Sequence, residues 1–274
     1  MARDAIEDLE LRLLLEGIYQ RYGYDFREYA RSSIRRRVWR RVSEEGLTTI
    51  SALQERILHE PECMERLLLD LSVSVTNMFR DPSFFRSLRD KVVPVLRTYP
   101  FIRIWNAGCS SGEETLSLSI LMHEAGLGDR IRIYATDINA EVLERSRLGV
   151  YPLERMQEYT ANYISSGGAK SFSDYYRASG DIAQFSRDLL DPIVFAQHNL
   201  VTDADFNEFH LIVCRNVMIY FDRSLQDKVT DLLHRSLVRF GILALGQKES
   251  LRFSRRAGDF EEIDAREKIY RRIH

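Results

Sequence analysis

Cysteine is scarce in this chain: Cys63, Cys109 and Cys214 are the only three in 274 residues, far apart and with no CxxC pair. That argues against a disulfide framework and against a zinc site, and it fits a reducing, cytoplasmic setting. The six histidines show no HxH or HxxxH spacing, so no metal is expected. No apolar run is long enough to span a bilayer. The opening Met1-Ala2-Arg3-Asp4-Ala5-Ile6-Glu7-Asp8 is charged and lacks the apolar core of an export signal. Neither sign of charge dominates, with 39 Lys and Arg against 41 Asp and Glu. The sequence pI of 6.3 lacks the strong basicity of a nucleic-acid binder. What is present is ordinary globular composition, 45% hydrophobic and 29% charged. The length suits one large domain, or a catalytic domain with a smaller one.

Charge is neutral overall but not evenly spread. Between Arg31 and Arg41 stand six arginines and no acid. Ile34, Val38 and Val42 recur at i, i+4 and i+8 through that stretch, which predicts an amphipathic helix. Its apolar stripe would pack inward while Arg36, Arg37, Arg40 and Arg41 spread over the remaining faces. Such a block suggests an acidic partner surface, although a merely solvated helix face has the same pattern. The flanking segments are also helical by period: Leu9 to Tyr19, Ile50 to Leu58 with Thr48 or Thr49 at its start, and Glu65 to Asp70. These predict a small all-α domain over residues 1–75 and a linker helix over 76–100.

After Pro100 the pattern changes. Phe101 to Trp105 reads as a strand, Glu113 to Ala125 as a helix, and Ile131 to Thr136 as a second strand ended by Asp137. Glu141 to Arg147 is helical. Ile193 to Ala196, His210 to Cys214 and Gly241 to Gly246 add strands, with a helix from Ser224 to Val238. The alternation predicts an α/β fold with a parallel-rich sheet over 101–274. Phe260 to Ile263 and Lys268 to Arg272 form a closing antiparallel hairpin. A Tyr-rich, poorly periodic stretch at about 150–197 interrupts the rhythm and reads as a small inserted subdomain.

The chemistry sits in three places. The loop Gly108-Cys109-Ser110-Ser111-Gly112 joins a strand to a helix, where glycine lets backbone approach a ligand and the helix end offers free N–H groups. Asp137 ends the next strand, 25 residues after Gly112, where an acid accepts hydrogen bonds from ribose hydroxyls. Glu113-Glu114 opens the helix. Two carboxylates there would repel a pyrophosphate but suit a cationic ligand such as the sulfonium and amino groups of S-adenosylmethionine. Favourable placement against the helix dipole explains the same pair equally well. The third place, Cys214 to Asp222, follows a strand of the sheet and puts Arg215, Asn216 and Tyr220 beside the cleft.

These residues resemble the chemotaxis receptor methyltransferases, the CheR family. The matching runs are Ile104 to Glu114, Ala135 to Asn139, His198-Asn199-Leu200, Cys214 to Asp222 and Gly246 to Leu251, with Ser74 to Asp81 upstream. The resemblance covers essentially the whole chain. It implies a Rossmann-like class I S-adenosylmethionine methyltransferase fold, preceded by an all-α domain and carrying a small β-subdomain. By that resemblance Ser74, Thr76 and Arg80 contact the methionine end of the cofactor, Glu113 or Glu114 binds its amino group, with Glu113 favoured as the first residue of the helix, and Asp137 holds its ribose. Gly108 belongs to the same cofactor loop. Asn199 and Leu200 flank the adenine, Arg215 and Asn216 line the cleft, and Tyr220 sits by the transferred methyl. The chain departs from the family at Thr115-Leu116, where Pro-Tyr is common, and at Ser74, where asparagine is frequent.

The implied reaction is esterification of receptor glutamates, giving S-adenosylhomocysteine. A glutamate carboxylate, with a pKa near ~4.3, is already an anionic nucleophile at neutral pH and needs no base. Arg80 and Tyr220 would orient it, while Arg36, Arg37 and Arg40 would dock the acidic cytoplasmic face of a methyl-accepting receptor. A receptor C-terminal peptide or a regulatory protein is a further candidate partner, nucleic acid is not, and a monomer is expected. The rival reading is a non-catalytic module that binds S-adenosylmethionine or S-adenosylhomocysteine as a signal.

Overall fold

The computed structural model describes residues 2–72 and 76–274. It divides into two compact units, one of residues 1–73 with Tyr220–Lys228, the other of Ser74–Ile219 with Val229–His274. Among the described residues no helix is long and apolar enough to cross a membrane.

The first unit holds α1 (Ala2–Tyr22), α2 (Arg31–Glu44), α3 (Ile50–His59) and α4 (Pro61–Leu71). Thr49 caps α3 by accepting the Ala52 N–H at 3.1 Å, and Pro61 starts α4 where its missing N–H costs nothing. The apolar stripes meet in one core built from Leu14 and Ile18, Ile34 and Val38, Leu53 and Ile57, and Leu67 and Leu71. The period-based expectation for Ile34, Val38 and Val42 is met, since all three are buried. The expectation that Arg37 and Arg41 lie on open faces is corrected: both are buried. The guanidinium of Arg37 donates to the Leu71 carbonyl at 2.5 Å and lies 4.6 Å from the Tyr220 ring centre. Arg41 is paired with Asp70 at 2.6 Å and Glu45 at 3.3 Å. Long arginine stems cover the core while their heads find partners on α4.

The second unit opens with the helix α5 (Pro82–Ser87), a wide π turn at Leu88–Val92 and α6 (Val93–Leu96). Pro94 has no N–H and its ring would crowd the carbonyl four residues back, so the helix widens just before it. The main sheet contains β1 (Ile102–Ala107), β2 (Ile131–Asp137), β6 (Ile193–Gln197), β7 (Phe209–Cys214), β8 (Leu237–Leu245), β9 (Phe260–Asp264) and β10 (Ile269–Arg272). Their order is β6-β2-β1-β7-β8-β10-β9, parallel from β6 to β8, with the last two strands joined antiparallel. The helices α7 (Glu113–Glu124) and α8 (Ala140–Leu148) are the crossovers after β1 and β2.

A separate three-stranded antiparallel sheet, ordered β3-β5-β4, is made of β3 (Val150–Pro152), β4 (Tyr176–Ser179) and β5 (Ile182–Phe185), with α9 (Met156–Ser165) between β3 and β4 in the chain. The inserted element is therefore narrower than residues 150–197, because Ile193–Gln197 is the edge strand of the main sheet. That agrees with reading Ile193 to Ala196 as a strand of the main sheet and draws the end of the insertion back before it.

Candidate functional site

The loops that leave the carboxyl ends of β1, β2, β6, β7 and β8 are tied to one another. Gly108 (φ +76°) and Gly112 (φ +88°) have backbone angles that favour glycine. A Cβ on Gly108 would also lie 2.4 Å from Val217 of the β7 loop. The Gly108 and Cys109 N–H groups donate to the Thr136 carbonyl at 2.8 and 2.9 Å. The β6 loop joins them through His198 N–H, which donates to the Asp137 carbonyl at 3.1 Å. This is the rim where open α/β sheets bind ligands.

Three acids face different treatment on that rim. Asp137 accepts the Ser110 N–H on one oxygen at 2.9 Å and the Asn139 N–H on the other at 3.0 Å. The Ile138 N–H is a third donor, and with about four acceptor sites the carboxylate keeps capacity for a ligand hydroxyl. Burial pushes its carboxyl above the ordinary range, opposed by those N–H donors. Glu113 is buried and receives the Ser111 hydroxyl at 2.6 Å and the Tyr159 hydroxyl at 3.3 Å. Burial raises its pKa as well, with the hydroxyls and Arg155 offsetting part of the rise. Glu114 instead receives Arg215 Nη1 at 2.7 Å.

Arg215 is held through its two Nη atoms, while its buried Nε meets no hydrogen-bond partner among the described residues. Its side chain is 1% exposed and also pairs with Asp81 at 2.6 Å, and its guanidinium lies 3.9 Å from the Phe84 ring centre. It is a strut between the β7 loop, α7 and the segment before α5. The strut matters to Arg80 and Thr76, which are half-buried on that segment. The Arg80 carbonyl accepts from Arg215 at 3.5 Å, and the Phe79 N–H donates to Ser117 Oγ of α7 at 2.8 Å. Ser74 lies outside the described residues.

Asn216 takes a left-handed φ of +61° directly after Arg215. Asn199 spends its side-chain oxygen on the Val201 N–H at 2.9 Å, shaping the loop that carries buried Leu200. Tyr220 belongs to the helical unit, where its carbonyl accepts the Ala30 N–H at 2.8 Å and its ring meets Arg37. In the same unit Arg36 and Arg40 are exposed, and Arg40 pairs with Glu44 at 2.7 Å.

The model of the CheR methyltransferase SAM binding domain matches residues 74–269, and that of the CheR methyltransferase all-alpha domain matches residues 9–72. The chain belongs to the CheR methyltransferase family. Cher3 of Pseudomonas putida, named as a methyltransferase, is 46% identical over 272 residues, covering 99% of this chain and 100% of its own. Chemotaxis protein methyltransferase 2 of Pseudomonas aeruginosa is 30% identical and covers 86% of this chain and 84% of its own. The Escherichia coli chemotaxis protein methyltransferase is 29% identical, covering 90% and 86%. The cofactor of this CheR chain is S-adenosylmethionine. The residues fit it: Glu113 is a buried carboxylate held by neutral donors, suited to an ammonium, and Asp137 has acceptors left for a ribose.

Two participants in the CheR site escaped the sequence reading. One is the Glu114–Arg215–Asp81 strut, whose members are more than 100 residues apart in part. The other is Glu249, which sits in the Gly246-Gln247-Lys248-Glu249 run and binds the β7 loop. That run was visible as a match to the family, but nothing in it assigned Glu249 a partner.

Proposed function

We propose that this chain transfers a methyl group from S-adenosylmethionine to glutamate side chains of methyl-accepting chemotaxis receptors, giving glutamyl methyl esters. The observation that carries the reading is family membership along nearly the whole chain, joined to relatives named as chemotaxis methyltransferases. Bound S-adenosylmethionine supplies an electrophilic methyl on a sulfonium. The chain's own part is to hold and orient. Glu113 receives the cofactor's ammonium, Asp137 its ribose hydroxyls, and Thr76, Arg80, Asn199, Leu200 and Asn216 complete its surroundings. The acceptor carboxylate arrives already ionised, so no side chain needs to remove a proton. Arg80 and Tyr220 orient that carboxylate, and positioning supplies most of the rate.

On the helical unit, exposed Arg36 and Arg40 meet the acidic face of the receptor's cytoplasmic domain. The test is incubation with labelled S-adenosylmethionine and receptor-bearing membranes, followed by alkali. Labelled methanol released by alkali supports a carboxyl ester. An alkali-stable label would assign another acceptor atom, and no label at all would leave only a binding module.

A further inference from the structure

Glu249 is buried and has no part in holding the cofactor as read above. Its carboxylate gathers four backbone N–H groups. Oε2 accepts from Gly246 at 2.6 Å and Asn216 at 3.0 Å, and Oε1 accepts from Val217 at 2.9 Å and Ile219 at 3.3 Å. Three of those donors belong to the turn that follows β7. N–H dipoles converging on one point repel each other unless an anion stands between them. The carboxylate thus holds the turn wrapped, including the left-handed angle at Asn216, which non-glycine residues adopt at a cost. The clamp has no slack: a Cβ on Gly246 would lie 2.7 Å from Glu249 Oε2 and 2.9 Å from the Asn216 nitrogen.

We propose that Glu249 is a positioning residue of the cofactor site, its carboxylate moulding the 216–219 backbone so that the Asn216 side chain meets S-adenosylmethionine. This rests on the reading above that Asn216 faces the cofactor. Glutamine is nearly the same shape but has one acceptor oxygen, and its amide would point N–H at N–H.

The experiment is a double-mutant cycle on the full chain, read as S-adenosylhomocysteine affinity by titration calorimetry at a temperature where circular dichroism shows every variant folded. Asn216→Gly removes the side chain and keeps the positive φ accessible. Glu249→Gln and Asn216→Gly should each weaken binding about tenfold. Together they should weaken it little more than Asn216→Gly alone, because the side chain that Glu249 positions is already gone. Gly246→Ala, which displaces the same clamp from the other side, should match Glu249→Gln. Multiplying effects, or unchanged affinity in Glu249→Gln and Gly246→Ala, would overturn the proposal while leaving Asn216 as a cofactor residue. Unchanged affinity in Asn216→Gly would remove the reading of Asn216 and the proposal with it.

Discussion

In the helical unit, charge is largely settled within the chain. Arg31 is paired with Asp8 at 3.4 Å, Arg35 with Glu7 at 2.5 Å, Arg40 with Glu44 at 2.7 Å and Arg41 with Asp70 at 2.6 Å, and Arg37 is turned inward. In the α/β unit, Glu113, Asp137 and Glu249 are held by hydroxyls and backbone N–H groups, and burial raises the pKa of all three. Other acids of that unit do meet arginine: Glu114 and Asp81 share Arg215, and buried Glu124 meets Arg89. A charge that meets an opposite charge has little field left for a ligand. A carboxylate held by neutral dipoles keeps most of its own. Four of the six arginines are thus paired within the chain and Arg37 is buried, while Glu113 and Asp137 keep their charge free of a cation, in keeping with the cofactor roles proposed for them.

The contrast breaks first at Arg215. Arg215→Ala leaves Glu114 and Asp81 unpaired, and should cost about 3–5 kcal/mol in urea unfolding. A loss below about 1 kcal/mol would mean that the buried strut is not structural. Asp137→Ala comes next, and removes the acceptor proposed for the ribose. Affinity for S-adenosylhomocysteine should fall about thirtyfold, equivalent to about 2 kcal/mol, as measured by calorimetry.

The pH response sharpens the same contrast. Glu113 has a raised pKa, so it takes up a proton above the usual carboxylate range as pH falls. If Glu113 holds the ligand ammonium as proposed, S-adenosylhomocysteine should bind more weakly in acid than at neutral pH, the loss setting in above the range of an ordinary carboxylate. Glu113→Gln should bind weakly throughout and with a shallower profile, Asp137 carrying what remains. Asp264 works in the opposite sense. Lys91 and Ser87 hold its carboxyl at about 2 against the opposing effect of burial. Its stabilisation is complete above its ordinary value and is lost as pH falls towards 2. Acid unfolding of Lys91→Met should therefore begin at a higher pH than in the parent chain.

The smallest effects separate neighbours on α2. Arg37→Ala should destabilise by about 1–3 kcal/mol, since it leaves the Leu71 carbonyl without its donor. Arg36→Glu should stay within about 0.5 kcal/mol in thermal unfolding. If exposed Arg36 docks a receptor, Arg36→Glu should lower methylation of receptor membranes with cofactor affinity unchanged. Equal methylation by Arg36→Glu and the parent chain would remove Arg36 from the docking surface.

Much of this was legible before any coordinates. The Ile34-Val38-Val42 stripe gave α2, and the loop from Gly108 to Gly112 with Asp137 one strand later outlined the cofactor rim. Both signals are local: a helix repeats every three to four residues, and a strand–loop–helix turn needs its small residues in sequence. The fate of individual charges was not legible. Arg37 and Arg36 are adjacent and chemically identical, yet one is buried beneath Tyr220 and the other exposed. Likewise, two adjacent glutamates open α7, and only Glu114 meets Arg215, 101 residues away.

The amino-acid sequence by itself determined the helical unit, the parallel-rich sheet, the family and the rim loops with their two key acids, because periodicity and short motifs act over a few residues. Tertiary structure alone decided which charges are paired and which stay available. It turned Arg215 into a strut, placed Glu249 beneath the β7 turn and assigned Tyr220 to the helical unit. Those outcomes depend on partners brought together from distant parts of the chain, and no local pattern encodes which pairs will meet.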